Sequence, residues 1–392
     1  MNLRRANKKV IMFCVSSPFA LNHFLLPHIM RIVVDFDIHI CVNSSLYPVD
    51  PTLKKIATIY NIPIQRKISI IKDFIALMTM IRIFLRVRPF LVQSITHKAG
   101  LLAMLASWLC MITNRWHTFT GQYWENKYGL YRHLLKNADR VISFFASKLF
   151  ADSYSQVSFL KSEKIIFTKN ITVLGDGSIA GVDTEKFNFQ IEKRNLLRRK
   201  FNICETKVIF LFVGRLAKEK GVFDLSYAYE RLLSAKKGTH NSELWFVGPD
   251  DQSIIDQLKA VNFHAKEKVK FFAETTNPEN YMIAADVLCL PSYREGFGSV
   301  VIEAAGCGIP TIGYMTNGLT DSIINDSTGI LVNYKSIEAF SDAMLELLIN
   351  HNKRFSLGRN ARKRVLEKFN RKKITSIYKD LIFNLEDSGN LN

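Results

Sequence analysis

Residues 290–310, LPSYREGFGSVVIEAAGCGIP, hold the most informative pattern in the chain. The stretch leaves a short apolar run, passes through a turn that contains Gly296 and Gly298, and continues into an apolar segment of helical length. Glycine lets a backbone approach a ligand closely, and the N–H groups at the start of a helix favour phosphate oxygens. Two carboxylates, Glu295 and Glu303, bracket the turn. The pattern therefore predicts a strand, a ligand-binding turn and a helix.

Short apolar runs alternate with segments of helical length along the whole chain. In the first half the predicted strands are 10–16, 38–44, 90–95 and 140–145, and the predicted helices include 74–86 and 101–112. In the second half the predicted strands are 207–214, 244–248, 268–273, 286–292, 311–314 and 329–332. Because continuous apolar runs suit strands that are buried on both faces, we expect two parallel sheets covered by helices.

A segment rich in glycine and aspartate, residues 175–187, is the expected domain boundary. We therefore predict an α/β protein with two doubly wound, Rossmann-like domains, 1–177 and 178–371. A helix is predicted in residues 372–392, and a terminal helix of this kind can return to the first domain. Since open α/β sheets bind ligands at the carboxyl ends of their strands, two such sheets would face each other across a ligand-binding cleft.

The net charge of +18 is concentrated in the first half of the chain. Residues 1–178 hold 23 Lys and Arg against 9 Asp and Glu, whereas residues 179–392 hold 30 against 26. This asymmetry indicates an anionic partner, such as a membrane surface, a phosphorylated lipid or nucleic acid, although it also serves solubility. The six cysteines are scattered without a C-x-x-C pair, which indicates buried thiols in a reducing compartment.

The apolar runs are too short for a membrane span. The longest, residues 99–112, falls short of the ~20 residues that cross a bilayer, and the N-terminal run is too short for a signal peptide. Residues 68–88 have a dense apolar pattern that four cations interrupt: Lys72, Arg82, Arg86 and Arg88. This pattern fits a core helix with a solvated edge or a helix that lies on anionic lipid.

A second motif, VGRLAKEKG at residues 213–221, places two cations directly after another predicted strand. Gly214 opens the turn, and Arg215 and Lys220 follow. Arg offers a planar fork of donors and Lys a compact charge, a combination that suits a diphosphate. A solvated charged loop is the alternative interpretation. In the first motif, Glu303 leans toward the start of its helix and suits a sugar diol, because a carboxylate accepts hydroxyl hydrogens.

Together these motifs resemble the retaining glycosyltransferases of family 4, which share the GT-B fold. The resemblance rests on E-G-F-G-x4-E-A, on the GRLxxxKG turn before it, and on the segments AGVDTEKF and NGLTDSIINDSTGILV. It is strong from about residue 171 to residue 370 and looser in the first half.

The resemblance implies roles for the residues of the second half. Arg215 and Lys220 would hold the donor diphosphate beside Gly214, Glu303 would hold the ribose, and Glu295 would act on the transferred sugar as a catalytic residue. The turn and helix start would support the phosphates or the sugar through four residues: Gly296, Phe297, Gly298 and Ser299.

In the first half the resemblance implies a histidine near the reacting sugar, just past a strand. His117 is similar to that catalytic residue, and His97 to a second histidine after a strand end, although a buried structural role is the alternative for both. Lys98 follows His97 at the expected acceptor site. Many family members have Gly-Gly after the first strand, whereas this chain has Ser16 and Ser17, so acceptor binding should differ here.

The expected partners also follow from the resemblance. It implies a nucleotide sugar, expected to be a UDP-N-acetylhexosamine, and a polyprenyl-diphosphate-linked saccharide as acceptor in bacterial surface polysaccharide synthesis. No metal or other cofactor is expected, because the cations of the turn can replace a metal, and the D-x-D sequence at 35–37 precedes a strand instead of following one. We expect a cytoplasmic protein that is peripheral on the anionic inner face of the plasma membrane.

Two other functions fit parts of the pattern. A nucleotide-sugar 2-epimerase shares the two-lobed fold and the donor clamp, but it would turn over the donor without an acceptor. A nucleic-acid-binding module would explain the basic charge, yet the chain lacks aromatic and basic residues interleaved on one element. No nucleic acid partner is therefore expected.

Overall fold

In the computed structural model the chain folds into two compact units. One consists of Met1–Ala180 and Arg371–Asn392, and the other of Gly181–Asn370. The structure describes residues 8–45, 47–65, 69–166, 170–235, 241–250, 253–261 and 267–389. The start of the predicted basic helix, residue 68, and the chain ends at 1–7 and 390–392 lie outside these ranges. The units divide at Ala180, close to the boundary expected after residue 177.

A parallel sheet forms the centre of the first unit. Its strands in the described residues are β1 Val10–Val15, β2 Asp37–Val42, β3 Thr58–Asn61, β4 Leu91–Ile95, β5 Asn114–Phe119, β6 Lys148–Ala151 and β7 Ile171–Val173. They lie in the order β3-β2-β1-β4-β5-β6-β7. The sequence pattern did not indicate β3, β5, β6 and β7, and all of these except β5 are only three or four residues long.

Helices cover both faces of this sheet. They are α1 Pro18–Ala20, a π-helical turn Leu21–Leu25, α2 Leu26–Ile32, α3 Pro51–Ile56, α4 Ile70–Val87, α5 His97–Leu109, α6 Gly129–Phe145 and α7 Tyr154–Ser162. Successive residues of β1 point to opposite faces, so Met12 joins the core under α4 and α5, whereas Phe13 joins the core beside α2. The all-apolar strand pattern is thus explained by burial on both faces.

Residues 140–145, which the sequence predicted as a strand, form the end of α6 instead. Ile142 and Ser143 are buried, whereas Val141 and Phe144 are exposed. This spacing of buried residues is helical, and a strand would bury every second side chain on one face. A short apolar run does not distinguish the two structures by itself.

The second unit contains another parallel sheet. Its strands in the described residues are β8 Val208–Val213, β9 Ser242–Val247, β10 Val269–Phe272, β11 Val287–Leu290, β12 Thr311–Tyr314 and β13 Gly329–Val332. These six strands confirm the six predicted in this half, and they lie in the order β10-β9-β8-β11-β12-β13. The order reverses between β8 and β11, and such a switch point opens a crevice at the carboxyl ends of the two strands.

The helices of the second unit lie between and beyond these strands. They are α8 Ile191–Lys200, a 3₁₀ turn Lys218–Lys220, α9 Val222–Ala235, α10 Ile254–Val261, α11 Pro278–Ala284, α12 Ser299–Gly306, α13 Leu319–Ser322, α14 Ile337–Ile349 and α15 His351–Lys368.

The last helix, α16 Arg371–Gly389, belongs to the first unit and packs against α2. The Tyr378 ring lies 4.4 Å from the His28 ring, and Lys379 Nζ lies 2.7 Å from Asp35 Oδ2. Asp37 bonds to His39 at 3.2 Å, so both acids of the D-x-D sequence have structural partners. Within the described part of the chain, no helix combines the length and apolar character that crossing a bilayer requires.

Candidate functional site

Two loops meet at the carboxyl edge of the second sheet, at its switch point. One follows β8 and contains residues 214–221, and the other follows β11 and contains residues 291–298. The backbone N–H of Tyr293 donates to the carbonyl of Glu219 at 3.0 Å, which joins the loops directly. The structure therefore brings together the two motifs that the sequence singled out separately.

Ion pairs connect the charged residues of these loops. Lys220 Nζ lies 2.6 Å from Glu295 Oε1, and their side chains are 26% and 13% exposed. Arg215 Nη2 lies 2.7 Å from Glu219 Oε1 within the first loop. Each cation is therefore paired with a carboxylate at the sheet edge, but the Arg215 and Glu219 side chains are more exposed, at 39% and 36%. Partial burial strengthens the Lys220–Glu295 pair relative to an exposed one.

The start of α12 requires glycine. Gly298 has φ +81° and precedes Ser299, the first residue of the helix, as predicted. A Cβ on Gly298 would lie 2.8 Å from Leu319, and a Cβ on Gly318 would lie 2.7 Å from the backbone of Gly296. The turn and the loop after β12 therefore fit together only without these side chains. They leave the N–H groups of the helix start at the sheet edge, where they can bind an anion.

The other residues of this turn lie at different depths. Phe297 is buried and its ring lies 5.3 Å from that of Phe369, so its side chain anchors the turn in the core. Glu303 is half-buried, about one turn into α12. Gly214 directly follows β8, with its φ at +149°.

Gly221 is the tightest point between the two loops. Its φ is +69°, and a Cβ would lie 1.9 Å from the carbonyl oxygen of Pro291. We expect Gly221→Ala to lower the free energy of unfolding by roughly 1–2 kcal/mol for the backbone conformation and a further 1–3 kcal/mol for the clash. Urea unfolding of the second unit measures the change. Gly308→Ala is the matched control, since Gly308 has φ +78° but only ordinary contacts; equal losses in the two variants would refute the clash.

A buried carboxylate that the sequence reading did not single out braces the second loop. Asp224, in the first turn of α9, accepts hydrogen bonds from the hydroxyls of Tyr293 at 2.9 Å and Tyr314 at 2.8 Å. The pKa of each tyrosine is raised above its ordinary value, mainly by burial and to a smaller extent by the hydrogen bond to Asp224. Asp224 thereby ties the loop after β11 to the helix that follows Lys220. The sequence signal that could have identified Asp224 is its position, four residues after Lys220.

The first unit carries a second cluster at the carboxyl edge of its own sheet. His97 begins α5 directly after β4, as predicted. Its Nδ1 lies 3.0 Å from Asp139 Oδ1, and Trp124 Nε1 donates to Asp139 Oδ2 at 2.6 Å. Asp139 is 1% exposed, whereas the His97 side chain is 29% exposed. A buried carboxylate therefore orients an accessible imidazole. The sequence analysis did not predict Asp139 or Trp124 as members of this cluster.

The backbone before His97 is strained. Thr96 has φ +76°, an unusual value for a β-branched residue, and its Oγ1 lies 2.9 Å from Ser16 Oγ. Backbone strain of this kind is concentrated at functional sites. Ser16 therefore lies beside the His97 turn, whereas Ser17 caps α1 by accepting from Phe19 N at 3.3 Å. Lys98 pairs with Asp73 of α4 at 2.7 Å.

His117 does not lie past the end of a strand, so that prediction is wrong. It lies inside β5, is 1% exposed, and its Nδ1 lies 2.8 Å from Ser94 Oγ. A Cβ on Gly100 would lie 2.4 Å from the imidazole, so α5 packs directly on the ring. Burial, together with the charge of His97, lowers the pKa of His117 to about 3. The placement supports a structural role for this neutral histidine, because β5 continues two residues beyond it.

Comparison with known proteins bears on the same regions. The family model described as glycosyl transferases group 1 matches residues 193–364, which contain both loops of the second unit and α12. The capsular polysaccharide biosynthesis glycosyltransferase CapM of Staphylococcus aureus is 29% identical over 309 residues, 79% of this chain and 80% of that protein. An Escherichia coli UDP-Gal:alpha-D-GlcNAc-diphosphoundecaprenol alpha-1,3-galactosyltransferase is 24% identical over 363 residues, 89% of this chain and 90% of that protein.

A solved structure shows the same architecture. HepE of Anabaena in complex with UDP superposes with a TM-score of 0.77, at 15% identity, and the match covers 96% of this chain and all of that one. At this identity the likeness concerns the fold alone. The two Rossmann-like units and these relatives lead to one conclusion: the chain is a glycosyltransferase with the GT-B fold, and its residues 193–364 match the group 1 family.

Proposed function

We propose that the chain is a retaining glycosyltransferase that moves an N-acetylhexosamine from UDP to a polyprenyl-diphosphate-linked saccharide in surface polysaccharide synthesis. The observation that carries this proposal is the Lys220–Glu295 contact of 2.6 Å, because it brings the two donor motifs together at a switch point. The relatives support the substrate class: CapM is named for capsule synthesis, the Escherichia coli enzyme for a diphosphoundecaprenol acceptor, and HepE was solved with UDP.

The donor would lie across the two loops of the second unit. Arg215 and Lys220 would bind the diphosphate, and the amides at the start of α12 would bind its remaining oxygens. Glu303 would accept the ribose hydroxyls, and Glu295 would accept hydroxyls of the transferred sugar. The Lys220–Glu295 contact supports this assignment, because the diphosphate and the sugar are neighbouring parts of one donor.

The proposed chemistry uses the charge that develops on the leaving group. As the anomeric C–O bond breaks, the diphosphate gains negative charge near Arg215, Lys220 and the α12 amides, which stabilises the transition state. The acceptor hydroxyl attacks the anomeric carbon from the face that the diphosphate leaves, and its proton passes to an oxygen of the leaving phosphate. Since two cations and a helix start are available for this charge, we propose that transfer does not require a metal, and activity in EDTA would test this point.

The proposed acceptor site involves His97 of the first unit. Asp139 holds Nδ1, and the other ring nitrogen, Nε2, lies 3.4 Å from the carbonyl oxygen of Gly121. A sugar hydroxyl would bind Nε2 in place of this long contact. Ser16 lies at the same turn through its bond to Thr96. Lys98 and Ser17, which the sequence also suggested, have the local partners described above and would act on the acceptor only indirectly.

Exposed apolar side chains on two helices of the first unit support membrane association. They are Ile70, Ile71 and Phe74 of α4 and Leu130 and Leu134 of α6, all more than half exposed. Both helices pack against α5, where Lys98 contacts α4 and His97 contacts α6. Exposed cations also lie on α4, at Lys72, Arg82 and Arg86. Large apolar side chains beside cations are typical of surfaces that bind anionic lipid.

We expect the triple variant Ile71→Ser, Phe74→Ser, Leu130→Ser to lose sedimentation with anionic liposomes at low salt. Activity should fall with a long-chain lipid acceptor but not with a short soluble analogue, because only the former must be reached at the membrane. The control variant carries Leu196→Ser, Ile349→Ser and Phe355→Ser, three residues of the second unit with similar exposure. Sedimentation of the first variant at the wild-type level would contradict the membrane proposal.

Thermal shift with a panel of nucleotide sugars tests the donor. A ligand that binds only the folded state raises apparent stability, so UDP-N-acetylhexosamines should raise Tm more than other nucleotide sugars. The best donor is then incubated with and without a lipid-linked saccharide, and the anomeric configuration of the product is determined by NMR. Donor turnover without acceptor would favour the epimerase, and an inverted product would refute retention.

A further inference from the structure

An internal cavity of about 20 Å³ lies in the first unit, between the sheet and the helices α2 and α16. Its lining includes His28 of α2, Gln93 of β4, Thr118 of β5 and Tyr378 of α16. Three polar atoms in this lining have no hydrogen-bond partner among the described residues: His28 Nδ1, Gln93 Oε1 and Tyr378 Oη. Their residues are 1%, 2% and 3% exposed, so bulk water does not serve them.

The surrounding bonds fix which of these atoms donate and which accept. His28 Nε2 lies 2.7 Å from the carbonyl of Ile179, which can only accept, so Nε2 carries the hydrogen. Burial lowers the pKa of His28 to about 4, which leaves the ring neutral and Nδ1 as an acceptor. Gln93 Nε2 donates to Thr118 Oγ1 at 2.8 Å, which assigns Oε1 as an acceptor. The Tyr378 hydroxyl supplies one hydrogen.

We propose that this cavity is a binding site for one ordered water molecule. The water donates its two hydrogens to His28 Nδ1 and Gln93 Oε1, and it accepts the hydrogen of the Tyr378 hydroxyl. Buried waters typically make about three hydrogen bonds to groups that would otherwise be unsatisfied. A cavity of about 20 Å³ is large enough for one water molecule. The number of donors and acceptors is therefore balanced, and the volume suits one water molecule.

This water would join three elements of the first unit by hydrogen bonds. It links α2 and β4 to α16, the helix with which the chain returns to the first unit after Asn370. Through His28 it also secures Ile179, next to Ala180, where the chain leaves this unit. The bound water thus stabilises both segments that connect the first unit to the second.

Crystallography and water relaxation test the site. A high-resolution crystal structure of the full chain should show one density peak within hydrogen-bond distance of all three atoms. In solution, magnetic relaxation dispersion of water should detect about one fewer long-lived molecule in the Gln93→Leu, Tyr378→Phe double variant. Tyr229→Phe, which removes a bonded buried hydroxyl of the second unit, is the matched control and should leave the count unchanged.

A second measurement uses the wild-type protein, so its result does not depend on whether the double variant folds. Xenon binds dry apolar cavities, so a crystal under xenon pressure should show no xenon here. Xenon at this position, a missing water peak, or an unchanged relaxation count in the folded double variant would each overturn the proposal.

Discussion

Lys220→Met should lower kcat for sugar transfer by roughly 10²–10³-fold, the usual effect of removing one group that stabilises developing negative charge. Methionine keeps the length and the apolar stem of the side chain but removes the charge that would face the leaving diphosphate. The same change leaves Glu295 without its partner at 2.6 Å. A transfer assay with saturating donor measures the effect, since a loss of donor affinity alone would appear in KM.

The control for this variant is Lys353→Met. Lys353 is also a paired lysine of the second unit, with Glu346 at 2.7 Å and Asp326 at 3.2 Å, but it lies on α15 outside the two loops. Its loss should leave kcat unchanged. Near-normal turnover in Lys220→Met, or in Glu295→Ala, would contradict the donor assignment.

The double variant Lys220→Met, Glu295→Ala separates pairing from independent roles. Residues that contact each other show non-additive effects, so the double variant should lose less than the product of the two single losses. If the loss of kcat in the double variant equals the product of the two single losses, the two side chains act on the donor independently of each other.

Asp139→Ala should destabilise the first unit. It removes a buried carboxylate and leaves the Trp124 indole N–H and the His97 imidazole without their acceptor. Since the His97 side chain is 29% exposed, the main cost is the buried Trp124 N–H left without its acceptor, about 1–3 kcal/mol. Urea unfolding followed by tryptophan fluorescence measures this loss, because Trp124 is buried directly beside Asp139.

The control for Asp139→Ala is Asn137→Ala on the same helix. Asn137 is exposed and bonds only to Arg140 in the contacts described, so its loss should change stability by less than about 0.5 kcal/mol. Asp139→Asn keeps one acceptor oxygen and should recover part of the stability. A fully stable Asp139→Ala protein would refute the role of this carboxylate in holding the cluster.

The second unit was largely predictable because its signals are local. Each of its strands is a short, continuous apolar run, and its glycines and charges follow the strands within a few residues. Gly298 and Ser299 could be placed at a helix start without knowledge of any distant contact. The first unit was harder, because the apolar run at residues 140–145 is the end of a helix and His117 lies in β5, a strand that the sequence pattern did not indicate.

The sequence by itself determined the succession of strand, glycine turn and helix, and with it the residues available to a donor. Only the tertiary structure decided which of them meet. Lys220 and Glu295 are 75 residues apart, Asp224 and Tyr314 are 90 apart, and His97 and Asp139 are 42 apart. Local patterns cannot predict such pairs, because they depend on which strands are neighbours in the sheet and how deeply each side chain is buried. The tertiary structure also shows that His117 is buried inside its strand. It shows in addition a cavity that is lined by polar side chains of α2, β4 and α16.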